Sequence, residues 1–141
     1  MKDRCLVLMM GLPGSGKSTL LNRNYNAEVI VHRDEVREDL KKMGFKKDES
    51  KVREEVKRRL ESNMDKYGLA ILDQTSLTIG SRKKVIDNID YSTIDLIYVD
   101  TDFSLCFDRN SKRPEGKKVP DKVMERMKKS LQTATIEEGF T

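Results

Sequence analysis

At 141 residues the chain suits one domain with a proper core and leaves no room for two, so a single domain over 1–141 is expected. Hydrophobic residues make up 36% and charged residues 37%, and no apolar run approaches the length of a membrane span or a signal-peptide core, so a cytoplasmic protein without membrane contact is expected. The net charge of +4 is uneven: from Arg109 to Lys129 nine basic residues face three acidic ones, giving that segment +6 and the rest of the chain −2. Cys5 and Cys106 have neither paired nor metal-ligand spacing and read as buried small hydrophobes in a reducing compartment.

Residues 4–10 form a continuous apolar run, as expected of a central parallel strand. A glycine-rich loop and a helix fading by 22–26 follow, then a short strand at 29–31 that delivers His32, Arg33 and Asp34 at its carboxyl end. Residues 34–43 have helical spacing, with Gly44 as the stop. Val52, Val56, Leu60 and Met64 fall four apart on an otherwise charged segment, which predicts a long helix with a narrow apolar stripe ended by Gly68. Residues 69–73 read as the third strand and 78–89 as a helix with Val85, Ile86 and Ile89 inward. The fourth strand spans 94–99 and is followed by a helix at 102–110, a Lys/Arg/Pro/Gly loop at 111–119 and a helix over 120–132 with Pro120 in its first turn. Strands alternating with helices predict an α/β fold, a parallel sheet flanked by helices on both faces, with ligands beyond the carboxyl ends of the strands.

The chemistry begins at Gly11-Leu12-Pro13-Gly14-Ser15-Gly16-Lys17-Ser18, a G-x-x-x-x-G-K-S pattern between an apolar strand and a segment able to start a helix. Gly11, Gly14 and Gly16 let main-chain N–H groups approach an anion, and the helix from Lys17 to Thr19 onward adds its positive end. In this pattern Lys17 serves the β- and γ-phosphates of ATP and Ser18 offers its hydroxyl to Mg²⁺. A glycine-rich turn without a ligand is the alternative, and the lysine, serine and flanking strand weigh against it. Asp73, at the end of the third strand, is a candidate to hold Mg²⁺ through water, and the Gln74 that follows it offers no obvious activator of water.

Asp34 and Arg37 stand three apart, on one face if the segment is helical. A carboxylate that accepts a hydroxyl proton beside a guanidinium that forks onto a phosphate suits transfer to a phosphorylated alcohol, while a helix N-cap is the equal alternative for Asp34. Arg109 and Arg113 run off a predicted helix into the basic loop. They read either as arginines that close over the γ-phosphate or as part of a solvated basic face.

Arg109-Asn110-Ser111-Lys112-Arg113, Val119-Pro120 and Met127-Lys128-Lys129-Ser130 closely resemble the lid of P-loop polynucleotide 5′-hydroxyl kinases of the phage type. Gly11 to Thr19 resembles their phosphate loop, and Arg33-Asp34-Glu35-Val36-Arg37 their R-D-x-x-R acceptor motif. Thr75 and Leu77 are similar to the D-x-T-N-L stretch of related kinases, with Ser76 where Asn is usual, and Glu138-Gly139-Phe140 to an E-G-F tail.

The resemblance implies an ATP- and Mg²⁺-dependent kinase acting on 5′-hydroxyl ends of RNA or DNA in nucleic-acid repair, with a lid at about 109–119. It implies Asp34 as general base, Arg37 and Thr75 on the acceptor, and Arg113 helped by Arg109 on the ATP phosphates from the lid. Relatives continue past E-G-F into a final strand, which is expected here to be either missing or cut away. Asp100-Thr101-Asp102 imitates a phosphatase signature but lies between a strand and a helix, where capping is the expected role. A kinase of a small alcohol such as a sugar or nucleoside, and a nucleotide-binding module without catalysis, are the competing expectations.

Overall fold

Leu6, Val7, Leu8, Met9 and Met10 are all buried, which only a strand covered on both faces permits. The computed structural model, which describes residues 3–141, places this strand, β1 (Cys5–Met10), between β3 (Leu69–Asp73) and β4 (Thr93–Tyr98). β2 (Ile30–His32) pairs with the far side of β3, so the order is β2-β3-β1-β4 with every neighbour parallel. Leu6 stands opposite Ala70 on one side and Ile94 on the other. Because side chains alternate, Leu6 and Leu8 face one layer of helices while Val7 and Met9 face the other.

The first layer is built from α2 (Arg33–Lys42), α3 (Glu49–Tyr67) and α4 (Ile79–Asn88). Val52, Val56, Leu60 and Met64 of α3 are buried against Leu8, Ala70 and Leu72. Asp48 starts α3 by accepting from the Ser50 N–H at 3.0 Å, and Gly68 stops it at φ 75°, a left-handed turn that costs glycine no Cβ clash. The second layer is α1 (Lys17–Asn24), which buries Leu21 beside Val7, Met9 and Ile71. A third apolar cluster of Leu12, Leu77, Cys106 and Met124 lies under α5 (Phe103–Ser111) and α6 (Asp121–Ser130).

Several boundaries differ from the sequence expectation. Residues 27–29 form a 3₁₀ turn, so β2 starts one residue later and ends at His32, and α2 begins at Arg33. Asp34 therefore lies inside the helix, and His32, not Asp34, occupies the N-cap position. Pro120 precedes α6 as its N-cap residue instead of opening its first turn. Asp102 occupies the N-cap position of α5 without a capping bond from its side chain, so the capping role expected there is only positional. Cys106 is buried as expected, whereas Cys5 is only partly covered. Ile86 and Ile89 are partly buried, packed against the cluster that holds the buried Val85.

The tail after α6 crosses back to the outer edge of β4, where the Thr141 N–H donates to Ile94 O at 2.8 Å. Among the described residues no helix is long and apolar enough to cross a membrane.

Candidate active site at the carboxyl ends of the strands

The chain leaves β1 at Met10 and turns through Gly11–Gly16 into α1. Gly14 (φ 82°) lies against α5, where a Cβ would come within 2.6 Å of the Cys106 carbonyl oxygen. Gly16 (φ 101°) occupies the N-cap position of α1 in the left-handed region. The Thr101 hydroxyl donates to Ser15 O at 2.7 Å and clamps the loop from the β4 side. The Ser15 hydroxyl is buried without a hydrogen-bond partner, a feature that a phosphate oxygen would resolve.

Lys17 is nearly buried, and its ammonium donates to Gly11 O at 2.8 Å and Leu12 O at 3.0 Å. Burial pushes its pKa down; the field of Asp73 opposes this, and that of Arg113 adds to it. The Ser18 hydroxyl donates to Asp73 Oδ2 at 2.9 Å, and His32 Nδ1 lies 2.7 Å from the same oxygen. Burial raises the Asp73 carboxyl, but the bonds from His32 and Ser18 outweigh it and leave the group below its ordinary value. The hydrogen bond to Asp73 in turn raises the pKa of His32. Ser18 and Asp73 thus present two hard oxygen donors side by side, a set that suits Mg²⁺.

A cleft of about 1020 Å³ opens over this loop. Its walls are the phosphate loop, Thr19, Arg23 and Asn24 of α1, the 100–102 turn, Arg109 at the end of α5 and Arg113 just beyond it. Arg109 Nη1 donates to Gly14 O at 3.2 Å, so this arginine of α5 rests on the loop. Buried Asn110 closes the base of the 111–119 segment by donating to Val119 O at 2.7 Å and accepting from the Val119 N–H at 3.0 Å.

Asp34 and Arg37 lie beyond the end of β2, outside the lining of this cleft. They share one face of α2, with Arg37 Nη1 donating to Asp34 Oδ1 at 3.0 Å. Asp34 is 93% exposed in its side chain. Thr75 meets the loop through its backbone: its carbonyl accepts the Gly11 N–H at 3.0 Å. Ser76 has φ 49°, and left-handed backbone is what asparagine tolerates better than most residues, so the Ser-for-Asn departure falls on a conformationally demanding position.

The structure also brings in residues to which the sequence assigned no role. His32 stands level with Asp73 in the β2–β3 register, a pairing visible only once the strands are aligned. Arg82, fully buried, donates Nε to Glu138 Oε1 at 2.8 Å, Nη1 to Ser76 O at 2.9 Å and Nη2 to Gln132 O at 3.0 Å. One guanidinium thus joins the loop after β3, the exit of α6 and the E-G-F tail.

A family model described as an AAA domain matches residues 6–134. The chain belongs to this AAA-domain family. No curated protein sequence matches it significantly. Among solved structures, a chain of a Pnkp1/Rnl/Hen1 RNA repair complex is similar to this AAA domain with TM-score 0.73 and 24% identity, covering 93% of this chain and 45% of its own. A chain of a second Pnkp1/Rnl/Hen1 complex gives TM-score 0.61 and 24% identity over 77% of this chain and 40% of its own. A sugar kinase from Janibacter sp. HTCC2649 gives TM-score 0.63 and 21% identity, covering 99% of this chain and 83% of its own. The AAA domain described here thus spans less than half the length of the RNA-repair chains it matches. At these identities the likeness establishes the fold, an α/β P-loop kinase type whose loop implies nucleotide binding.

Proposed function

We propose that this AAA domain is an ATP-dependent polynucleotide 5′-hydroxyl kinase, moving the γ-phosphate of ATP to the 5′-OH end of RNA or DNA in nucleic-acid repair. The observation that carries the reading is the carboxylate–guanidinium pair Asp34–Arg37, set on α2 just past the carboxyl end of β2, the same edge of the sheet from which the phosphate loop leaves β1. The acceptor oxygen bonds to the γ-phosphorus, its proton passes to Asp34, and the bond from that phosphorus to the β–γ bridging oxygen breaks to release ADP. Gly11, Gly14, Ser15, Gly16, Lys17, Ser18 and Thr19 hold the ATP phosphates, and Arg113 with Arg109 stabilises charge on the transferring group from the lid. Arg37 holds the phosphate next to the acceptor hydroxyl, and Thr75 supports the acceptor side.

The donor set of Ser18 and Asp73 fits Mg²⁺, with Asp73 acting through water. Bound there, the ion would neutralise charge on the β- and γ-phosphate oxygens. The similarity to a chain of an RNA repair complex supports a nucleic-acid acceptor. The likeness to a sugar kinase over most of that enzyme's length keeps a small alcohol as the second reading.

Labelled ATP and Mg²⁺ offered with 5′-OH oligonucleotides, sugars and nucleosides separates the two. Transfer to oligonucleotides is the expected result. Transfer to a small alcohol alone, or to nothing, overturns the reading.

A further inference from the structure

Glu49, the first residue of α3, has no part in the transfer chemistry, yet it joins two arginines of α2. Its Oε2 accepts from Arg33 Nη2 at 2.9 Å and Arg37 Nη2 at 3.3 Å, and its Oε1 accepts from Arg37 Nε at 3.2 Å. Together with the Arg37–Asp34 bond, these contacts engage all three nitrogens of the Arg37 guanidinium with the protein's own carboxylates. The hydrogen bonds from Arg37, with help from Arg33, hold the Glu49 carboxyl below its ordinary value despite some burial, so it stays charged through neutral pH.

Two guanidiniums converging on one pair of oxygens, Arg37 as a two-nitrogen fork and Arg33 through a single N–H, is an arrangement suited to a phosphate. The formal charges agree. Arg33, Arg37, Asp34 and Glu49 sum to zero, so adding a phosphodiester to the intact cluster leaves one negative charge in excess, whereas adding it in exchange for Glu49 restores neutrality.

We infer that Glu49 occupies the acceptor-phosphate site and is a specificity-determining residue: an acceptor carrying a phosphate beside its hydroxyl displaces it onto the solvent side, and a neutral alcohol does not. Arg33 becomes a second phosphate contact once Glu49 has left. This inference rests on the polynucleotide-kinase reading, which supplies Arg37 as the acceptor contact. Glu49 is 44% exposed in its side chain and Arg37 likewise, so the ion pairs opposing displacement are weak and the filter is soft. A mono- or dianionic phosphate can outcompete a carboxylate held this way, whereas a hydroxyl brings no charge with which to do so.

The test reads binding without transfer. A nucleoside 3′-monophosphate with a free 5′-OH is titrated by calorimetry into the wild-type protein, Glu49→Gln and Arg33→Ala, and the parent nucleoside serves as the uncharged probe. Glu49→Gln should bind the 3′-monophosphate roughly three- to tenfold more tightly, the range expected when exposed ion pairs no longer compete. The same change should leave nucleoside binding unaltered. Arg33→Ala should weaken the 3′-monophosphate while keeping ATP affinity, and circular dichroism should show both variants folded as the wild type.

Equal or weaker binding by Glu49→Gln, or no binding by either protein, overturns the inference; weaker binding would make Glu49 a residue that positions Arg37. If the affinity gain is present but oligonucleotides receive no phosphate, the polynucleotide-kinase reading fails alone.

Discussion

The two halves of the candidate site are built to different standards. On the phosphate-loop side, Lys17 and Asp73 are nearly buried, and Lys17, Ser18, Asp73 and His32 all have short hydrogen bonds inside the protein. On the α2 side, Asp34 and Arg37 are solvent-facing, and their partners are exposed carboxylates and guanidiniums. The first half is preorganised: its groups hold position before any ligand arrives, so little reorganisation is needed when charge develops. The second half is held by contacts worth only about 0–1 kcal/mol each, which a charged ligand can exchange for its own. A donor that is always the same nucleotide and an acceptor that must be admitted selectively would call for this contrast.

The sharpest way to break the comparison is Asp34→Asn. If the exposed half performs the proton transfer, this change should slow phosphate transfer on the order of 10²–10⁴-fold while leaving ATP affinity in place. Steady-state kinetics beside a direct ATP titration reads both; an unaltered rate in an active enzyme removes Asp34 from the mechanism. Arg113→Ala comes next, with a loss of roughly 10²–10³-fold in kcat and a smaller change in acceptor binding. The reverse pattern would move Arg113 from the donor half to the acceptor half.

The smallest effect on chemistry and the largest on stability belongs to Arg82, which joins the loop after β3 to the E-G-F tail. Arg82→Ala leaves Glu138 buried without its partner and should cost about 3–5 kcal/mol in denaturant unfolding. The same pair predicts a pH dependence. Burial raises the Glu138 carboxyl, but the bonds from Arg82 and the Thr135 N–H more than offset this, so its folded pKa lies below the ordinary 4.5. A group depressed on folding contributes fully above its unfolded pKa and loses that contribution as pH falls through the folded one. Thermal midpoints should therefore drop on acidification below about 4.5, and Glu138→Gln should flatten that slope. Equal slopes in the two proteins would show that the pair is not what acid disrupts.

Much of the fold was legible because its signals are local. The apolar run before Gly11, the four-residue spacing from Val52 to Met64 and Gly68 as a stop each depend on neighbours a few positions away, and each corresponds to an observed element. Boundaries were less legible where two local preferences compete. The β-branched Val29 reads as strand, yet the chain closes a 3₁₀ turn there. Pro120 fits either just before or just inside a helix, and its N–H-free ring satisfies both.

The site divides along the same line. By itself the sequence determined the phosphate loop and the one-face spacing of Asp34 with Arg37, since a contiguous motif and an i, i+3 interval contain their own geometry. Only the tertiary structure decided which groups meet across long separations. Asp73 met His32 and Ser18 because parallel β2 and β3 align His32 with Asp73 and α1 starts beside them. Arg82 met Glu138 across 56 positions, and Glu49 closed on Arg33 and Arg37 because α3 packs back against α2. These pairings depend on strand order and helix packing, which are settled by burying the whole apolar core and leave no trace in any short stretch of chain.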